Sequence, residues 1–300
     1  MNIQAIVTVP PYAGFIGEVA AHPLVSGLRL NTVMPLKHDE DIATLLKRLN
    51  SFGKPVWVDL KGRQLRVVGA AIPPYTDVQL SHKLKVDTPV MAYFADGREH
   101  ADVIDVHGDR IVLADGPRRL IGPGESVNIP HASLRIEGTL TETDHAYLSA
   151  MRALGLRHVM LSFVENASDA AEVSALLPDV ELVQKIESPR GLHHARTTQA
   201  THGRLMAARG DLYVEVGQPH RIARAVADIV QADPNAIVAS RLFESLAFHP
   251  VPNSADIGDA AHLLHIGYRT FMLGDSICFQ RESVMEALNL LQALGRDMAA

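Results

Sequence analysis

Eight short apolar or β-branched runs recur along this chain, and most are separated by segments whose apolar residues repeat every three to four positions. The runs are IQAIVTV (3 to 9), GLRLN (27 to 31), PVWVDL (55 to 60), HVMLSF (158 to 163), VELVQKI (180 to 186), RLMAA (204 to 208), AIVAS (236 to 240) and TFMLG (270 to 274). The intervening segments, such as DEDIATLLKRLNSFG, TETDHAYLSAMRALG, SDAAEVSALLPD, SPRGLHHARTTQA and PHRIARAVADIVQAD, carry the helical period. SADIGDAAHLLHIG and the final RESVMEALNLLQALGRDM carry it too. Thr141 with Asp144 reads as a capping box, Ser254 as the cap of the helix after it, and Gly155 and Gly267 as helix ends. Strands joined through helices run parallel, and eight such units predict an α/β fold of the TIM type, a closed (β/α)8 barrel.

One interval breaks the rhythm. From about residue 62 to 138 the helical period vanishes. Turn pairs Asp96-Gly97, Gly108-Asp109 and Asp115-Gly116 separate the alternating runs PVMAYFA, HADVIDV and DRIVLA. This predicts a barrel built from residues 1 to 61 and 139 to 300, with a small β-barrel domain, 62 to 138, inserted after the third strand. Loops after barrel strands lie on the face where substrates bind, so such an insertion is placed as a lid.

Composition narrows the partners. With 300 residues and 47% hydrophobic content the chain can bury a large core. The net charge of -6 comes without a basic block, which argues against nucleic acid. Neither an apolar run of roughly 18 to 20 residues nor a basic leader in MNIQAIVTVPPY is present, which predicts no membrane span and a cytoplasmic location. The single Cys278 reads as packing, His193, His194, His262 and His265 as outer-helix residues, and Gly122-Pro123-Gly124 as a lid hairpin.

Charged residues fall at strand ends. Because side chains alternate along a strand, Lys185 and Glu187 share a face opposite Gln184 and Ile186. The same spacing relates Arg29 to Asn31, Asp59 to Lys61, and Arg209 to Asp211. Polar groups from strands two, three, five and six are thereby expected to converge on one mouth. The acids Glu187 and Asp211 suit Mg2+ or Mn2+ with positions left for substrate oxygens. Lys185 and Arg29 add positive charge suited to a phosphoryl group or an enolate, and the turn at Gly210 and Asp211 offers free N–H groups to a carboxylate.

These segments resemble the pyruvate kinase family in order and in kind. GLRLN is similar to its arginine and asparagine strand, DLKGRQLR to its Asp-Thr-Lys-Gly segment, and LTETDHAYL and SFVENASD to its Leu-Thr-Glu-Lys-Asp and Ser-Phe-Val stretches. QKIESPRG and MAARGDLYVEV resemble its catalytic lysine and metal-binding strands, ASRLFESLAFHPVPNSADIGDAA its Ala-Thr-Gln-Met-Leu-Glu-Ser region, and VNIPHASL the motif at its lid exit. The resemblance implies a short form, barrel plus lid, in which the family's C-terminal domain, usually the seat of effector binding, is expected to be missing.

The resemblance implies that Lys185 stabilises the phosphoryl group in flight and the enolate, that Glu187 and Asp211 hold the divalent ion, and that Arg29 contacts phosphate. It implies that Asn31 and Asp59 hold K+, that Arg66, with Asn31 nearby, meets the nucleotide, that Gly210, Asp211 and Ser162 bind substrate, and that Ser240 stands where a proton-relay threonine is usual. Phosphoenolpyruvate or pyruvate-like acids, ADP or ATP, and a homodimer through the barrel helices are the implied partners. The chain departs from the pattern at Thr32, Val33 and Met34, at Leu60, Glu125, Tyr213 and Ser188, and at Gly274, Asp275, Ser276 and Ile277. Three readings stay open: a phosphotransferase, a metal-dependent lyase or decarboxylase working through an enolate, and a metabolite-binding homologue.

Overall fold

The computed structural model describes residues 2 to 197 and 203 to 298. The first three strands, β1 (Gln4–Thr8), β2 (Val25–Asn31) and β3 (Val56–Leu60), alternate with helices α1 (Ile16–Ala21) and α2 (Ile42–Asn50). The chain then leaves for seven short strands: β4 (Asp77–Gln79), β5 (Leu84–Lys85), β6 (Val90–Phe94), β7 (Glu99–His107), β8 (Arg110–Leu113), β9 (Val127–Asn128) and β10 (Arg135–Ile136). It returns through α3 (Glu142–Leu154), β11 (His158–Leu161), α4 (Ala167–Leu176), β12 (Glu181–Ile186), α5 (Pro189–Thr197), β13 (Arg204–Ala208), α6 (Arg209–Glu215) and α7 (Arg221–Ala232). It finishes with β14 (Ile237–Ala239), a 3-10 turn (Glu244–Ala247), α8 (Ser254–Ile266), β15 (Thr270–Leu273), α9 (Asp275–Cys278) and α10 (Arg281–Asp297).

The eight longer-range strands close in the order β1-β2-β3-β11-β12-β13-β14-β15, all parallel, as the alternation requires. The excursion forms a five-stranded antiparallel sheet, β4-β8-β7-β6-β9, and a separate β5-β10 pair, with its own core around Phe94, Val103, Ile111 and Ile121. Asp96 and Gly97, both at positive φ (59° and 85°), turn β6 into β7, as that pair of residues favours.

Local signals explain several helix ends. Thr141 and Asp144 form the reciprocal capping box, and Gly155 ends α3 at φ 66°, a left-handed conformation that glycine adopts without a Cβ penalty. Asn253, not Ser254, caps α8: its side chain accepts from Asp256 N, and Ser254 is already the first helical residue. Both are capping residue types, so composition alone could not choose between adjacent positions. Residues 198 to 200, at the end of the segment read as the fifth-strand helix, lie outside the described residues. No helix among the described residues is long and apolar enough to cross a membrane. Cys278 is buried, His262 and His265 are exposed, and His194 is buried against Gln184 of β12.

Two cores divide the barrel by side-chain parity. Outward positions such as Leu28, Val58, Ile186 and Phe271 pack beneath the helices. Inward positions at the lower end, Ile6, Trp57, Met160, Val183, Met206 and Met272, fill the interior. Two residues further along the same strands and on the same face come Thr8, Asp59, Ser162 and Lys185, so the interior turns from apolar to charged at its upper mouth. Gly27 makes room for the only tryptophan: an added Cβ would lie 2.7 Å from Trp57 Cδ1. Gly27→Ala is therefore expected to cost about 1–3 kcal/mol and to shift Trp57 fluorescence in the folded state. Unchanged emission with unchanged stability would refute that account of Gly27.

Candidate active site

The mouth is organised around Lys185, the inward residue near the end of β12. Its Nζ donates to Ser162 Oγ at 2.7 Å and lies 3.2 Å from Asp59 Oδ1 and 3.3 Å from Glu187 Oε1. Asp59, at the end of β3, is shared with Arg29, whose Nε and Nη2 donate to Oδ2 at 2.8 and 2.5 Å. All of these groups are buried. Burial alone pulls the Lys185 pKa down, but Asp59 and Glu187 outweigh it and leave it raised. Burial likewise pushes Asp59 up, and Lys185 and Arg29 reverse this to hold it below the usual carboxylate range. The Arg29, Asp59 and Lys185 triplet is thus fully ionised, as a buried network must be to persist.

Arg29 has a second acidic partner. Its Nη1 donates to Thr8 Oγ1 at 3.0 Å and to Asp275 at 3.1 and 3.2 Å. Asp275 also accepts from Asn31 Nδ2 at 3.2 Å, while Asn31 Oδ1 takes Val33 N–H. Burial lowers the Arg29 pKa, and the charges of Asp275 and Asp59 more than restore it.

On the other side of Lys185 the acids gather. Glu187 Oε2 accepts from Phe163 N at 2.8 Å, and Phe163 adopts φ 51°, a costly conformation for a bulky residue. Asp211, two residues into α6, receives two amide donors from the excursion: Gln64 Nε2 at 2.7 Å and Asn128 Nδ2 at 3.1 Å. Asn128 also donates to Glu215 Oε1 at 3.0 Å, one helical turn beyond Asp211. Burial pushes Glu187 up to about 7 against the pull of Lys185, with Asp211 adding to the rise. Burial also pushes Glu215 up to about 8, opposed by Asn128 and reinforced by Asp211. Burial and mutual repulsion thus favour the protonated forms of Glu187 and Glu215 on this edge.

A stability prediction follows from Glu215. Its folded pKa lies above the ordinary 4.5, so the folded state holds a proton that the unfolded state has lost. Stability therefore falls as pH rises from about 4.5 through about 8. Glu215→Gln keeps the Oε1 acceptor for Asn128 and removes that loss. The metal-free variant should melt a few degrees above the parent at pH 8, about 1–2 kcal/mol more stable, and match it near pH 4. Equal melting at pH 8 would count against a strained Glu215.

The remaining expected residues are less closely gathered. Ser240 lies beside Gly210, where an added Cβ would be 3.5 Å from its Oγ, and it adopts φ 67°. Arg66 donates from Nη1 to Gly124 O at 2.6 Å and from Nη2 to Gln64 Oε1, so it reaches Asp211 only through that glutamine. Lys61 forms no ion pair among the described residues, and burial followed by the charge of Arg66 pulls its pKa down. Arg209 departs from the expected convergence: it opens α6 and turns outward to Asp259 of α8, at 2.7 and 2.9 Å, and to the Ser240 and Arg241 carbonyls. Helix geometry replaces strand alternation at that residue, which is why the two-residue spacing to Asp211 misplaced it.

Sequence reasoning missed Thr8, Gln64, Asn128 and Glu215, and met Asp275 only as a departure from pattern. Thr8 follows from parity with Ile6, and Glu215 from its helical turn after Asp211. Nothing local points to Gln64 and Asn128, because their contact depends on how the inserted sheet sits on the mouth.

The donor set fits a divalent cation. No group of three or more His, Cys, Asp or Glu among the described residues is gathered tightly enough to hold a metal alone. Two carboxylates that repel each other, with remaining positions open to water and ligand oxygens, are what Mg2+ takes.

The chain is similar to known proteins over much of its length. The pyruvate kinase barrel-domain model matches residues 74–277. A pyruvate kinase from Agrobacterium vitis is 31% identical over 205 residues, covering 66% of this chain and 42% of its own. One from Methylorubrum extorquens is 31% identical over 185 residues, covering 59% and 38%. One from Methanocaldococcus jannaschii is 24% identical over 301 residues, covering 91% and 64%. The chain spans about two fifths of the length of the first two relatives. With a family model matched over more than half its residues and the barrel closed as described, the chain belongs to the pyruvate kinase family.

Proposed function

We propose that the chain is a divalent-metal-dependent phosphotransferase of pyruvate kinase type, moving phosphate between phosphoenolpyruvate, or a related enol phosphate, and ADP. The observation that supports this most is the buried Lys185 ammonium, 3.3 Å from Glu187 and 2.7 Å from Ser162, beside an acid-rich edge that includes Asp211. In the ATP-forming direction the bond from phosphorus to the enol oxygen breaks while one to a terminal ADP oxygen forms. The enolate left behind takes a proton at carbon.

Lys185 balances charge on the transferring phosphoryl group and then on the enolate oxygen. Ser162 holds that ammonium in place. Arg29 meets the phosphate, and the N–H groups at Gly210 and Asp211 take the substrate carboxylate. Ser240, beside Gly210, lies on the route of the proton, Arg66 serves the nucleotide, and Asn31 with Asp59 takes K+. Mg2+ or Mn2+ held by Glu187 and Asp211 would supply Lewis-acid stabilisation of the oxyanions. The partners are these small anions and, through the barrel helices, a second copy of the chain.

One observation favours a second reading. Asp275 lies on the same Arg29 nitrogen that a phosphate would approach, so a carboxylate already opposes an anion there. A lyase or decarboxylase acting on an oxo acid through an enolate needs Lys185 and the metal but no phosphate at Arg29. The decisive assay supplies Mg2+, phosphoenolpyruvate and ADP and follows ATP and pyruvate, then repeats with oxaloacetate and no nucleotide. ATP formation supports the phosphotransferase, and nucleotide-independent pyruvate release supports the lyase. Silence in both with retained ligand binding leaves a metabolite-binding protein and overturns both.

A further inference from the structure

The loop after β14 carries a cation that the proposed reaction does not use. Arg241 stacks its guanidinium over the ring of Tyr213, with the central carbon 4.3 Å from the ring centroid. Its Nε is buried without a hydrogen-bond partner, and among the described residues its side chain makes no ion pair or hydrogen bond. This contrasts with Arg29 and Arg209, each paired with a carboxylate in the same region. A half-buried guanidinium with unused donors is costly unless something accepts from it.

Its neighbours belong to the Asp211 edge of the mouth. Tyr213 stands on α6 two residues past Asp211, and Ser240, next to Arg241, adjoins Gly210. Ser240 and Arg241 both adopt left-handed backbone conformations, φ 67° and 55°, which side-chain-bearing residues hold only when the surroundings impose them. The β6–β7 turn comes down on the same helix: an added Cβ at Gly97 would lie 3.3 Å from Val214 Cγ2. Asp96 in that turn feels the charges of Asp211, Arg241 and Arg66, yet forms no ion pair with Arg241. The guanidinium thus lies against α6, near enough to the β6–β7 turn for Asp96 to feel its charge together with that of Asp211.

We propose that Arg241, held flat by Tyr213, binds a second anionic group of the ligand, remote from the end held by Lys185 and the metal-binding acids. Planar guanidinium donors match carboxylate and phosphate oxygens in pairs, and stacking on an aromatic ring fixes the plane before the ligand arrives. The preferred ligand is then an acid with two separated anionic groups. The second group is either the distal carboxylate of an oxo diacid or a nucleotide phosphate. The inference rests on the proposed active site only in placing the first group there.

The test measures binding to the full chain, with Mg2+ present, for oxalate, oxaloacetate and ADP, in the parent, Arg241→Gln and Arg241→Lys. Oxalate has no remote anionic group and serves as the internal control. Arg241→Gln should weaken oxaloacetate or ADP about tenfold or more, as loss of a charge-assisted hydrogen bond does, and leave oxalate unchanged. Arg241→Lys should recover part of the loss. Selective loss for oxaloacetate identifies the distal carboxylate, and for ADP the phosphate. Failure of oxalate to bind while an Arg241-sensitive ligand still does would sink the active-site reading and keep Arg241. Absence of any Arg241-sensitive binding to oxaloacetate or ADP overturns the proposal.

Discussion

Lys185→Met is expected to lower turnover by about 10²–10³-fold or more, the loss typical of removing one group that stabilises developing negative charge. Its ammonium is the cation within 3.3 Å of Glu187, and Met offers similar length without charge. The same change leaves Asp59 to Arg29 alone and Glu187 without its nearby cation, so it should also destabilise the fold by a few kcal/mol, about 3–5 at most. Rate and melting temperature must therefore be measured together, at a temperature where the variant is folded. Turnover within tenfold of the parent in a folded variant would remove Lys185 from the chemistry. Lys185→Arg should not restore the rate, because the bulkier guanidinium cannot occupy the 2.7 Å contact with Ser162 and keep both carboxylates.

A stability effect at least as large is expected at Asp144→Ala. This side chain is fully buried and accepts from four donors: Lys61 N at 2.9 Å, Gly62 N at 3.1 Å, and Thr141 N and Oγ1, each at 2.9 Å. It caps α3 and at the same time receives the backbone where the chain leaves β3. Alanine strands the buried N–H groups of Lys61 and Gly62, at a cost of about 3–5 kcal/mol, or roughly 10 °C in melting temperature for a chain of this size. Gly62 leaves little room for compensation, since an added Cβ there would lie 2.4 Å from Ser162 O and its φ is 53°. A melting temperature within about 3 °C of the parent would show that water or a backbone shift satisfies these groups.

Much of this architecture is legible in the sequence. Strand and helix periods alternate cleanly enough to predict the barrel, and the turn pairs around residues 96, 108 and 115 mark the inserted sheet. The six-residue α1 escaped because Ile16, Val19 and Ala20 make a single apolar turn, too short to stand out from a loop. Within the site, parity placed Asp59, Lys185 and Glu187 together, since alternation along a strand is a geometric rule. It failed at Arg209, where the strand had already become a helix. Asp275 eluded it because the first residue of a helix, α9, rather than a strand position aims the carboxylate at Arg29. Gln64 and Asn128 could not be read at all: they are separated from Asp211 by long stretches of chain, and no short-range pattern records the docking of one domain on another.

The neighbouring position of β3 and β11 has one more consequence. These strands pair directly, Val58 with Val159, although the whole excursion lies between them. Its two ends are brought together by Asp144, which bonds Lys61 and Gly62 on the outgoing side and Thr141 on the returning side. Chain closure depends only weakly on the length enclosed, so the sheet responds to how near those ends lie and hardly to what they frame. A foreign module with equally close termini could be grafted between them, leaving the cylinder intact and giving its opening a different roof.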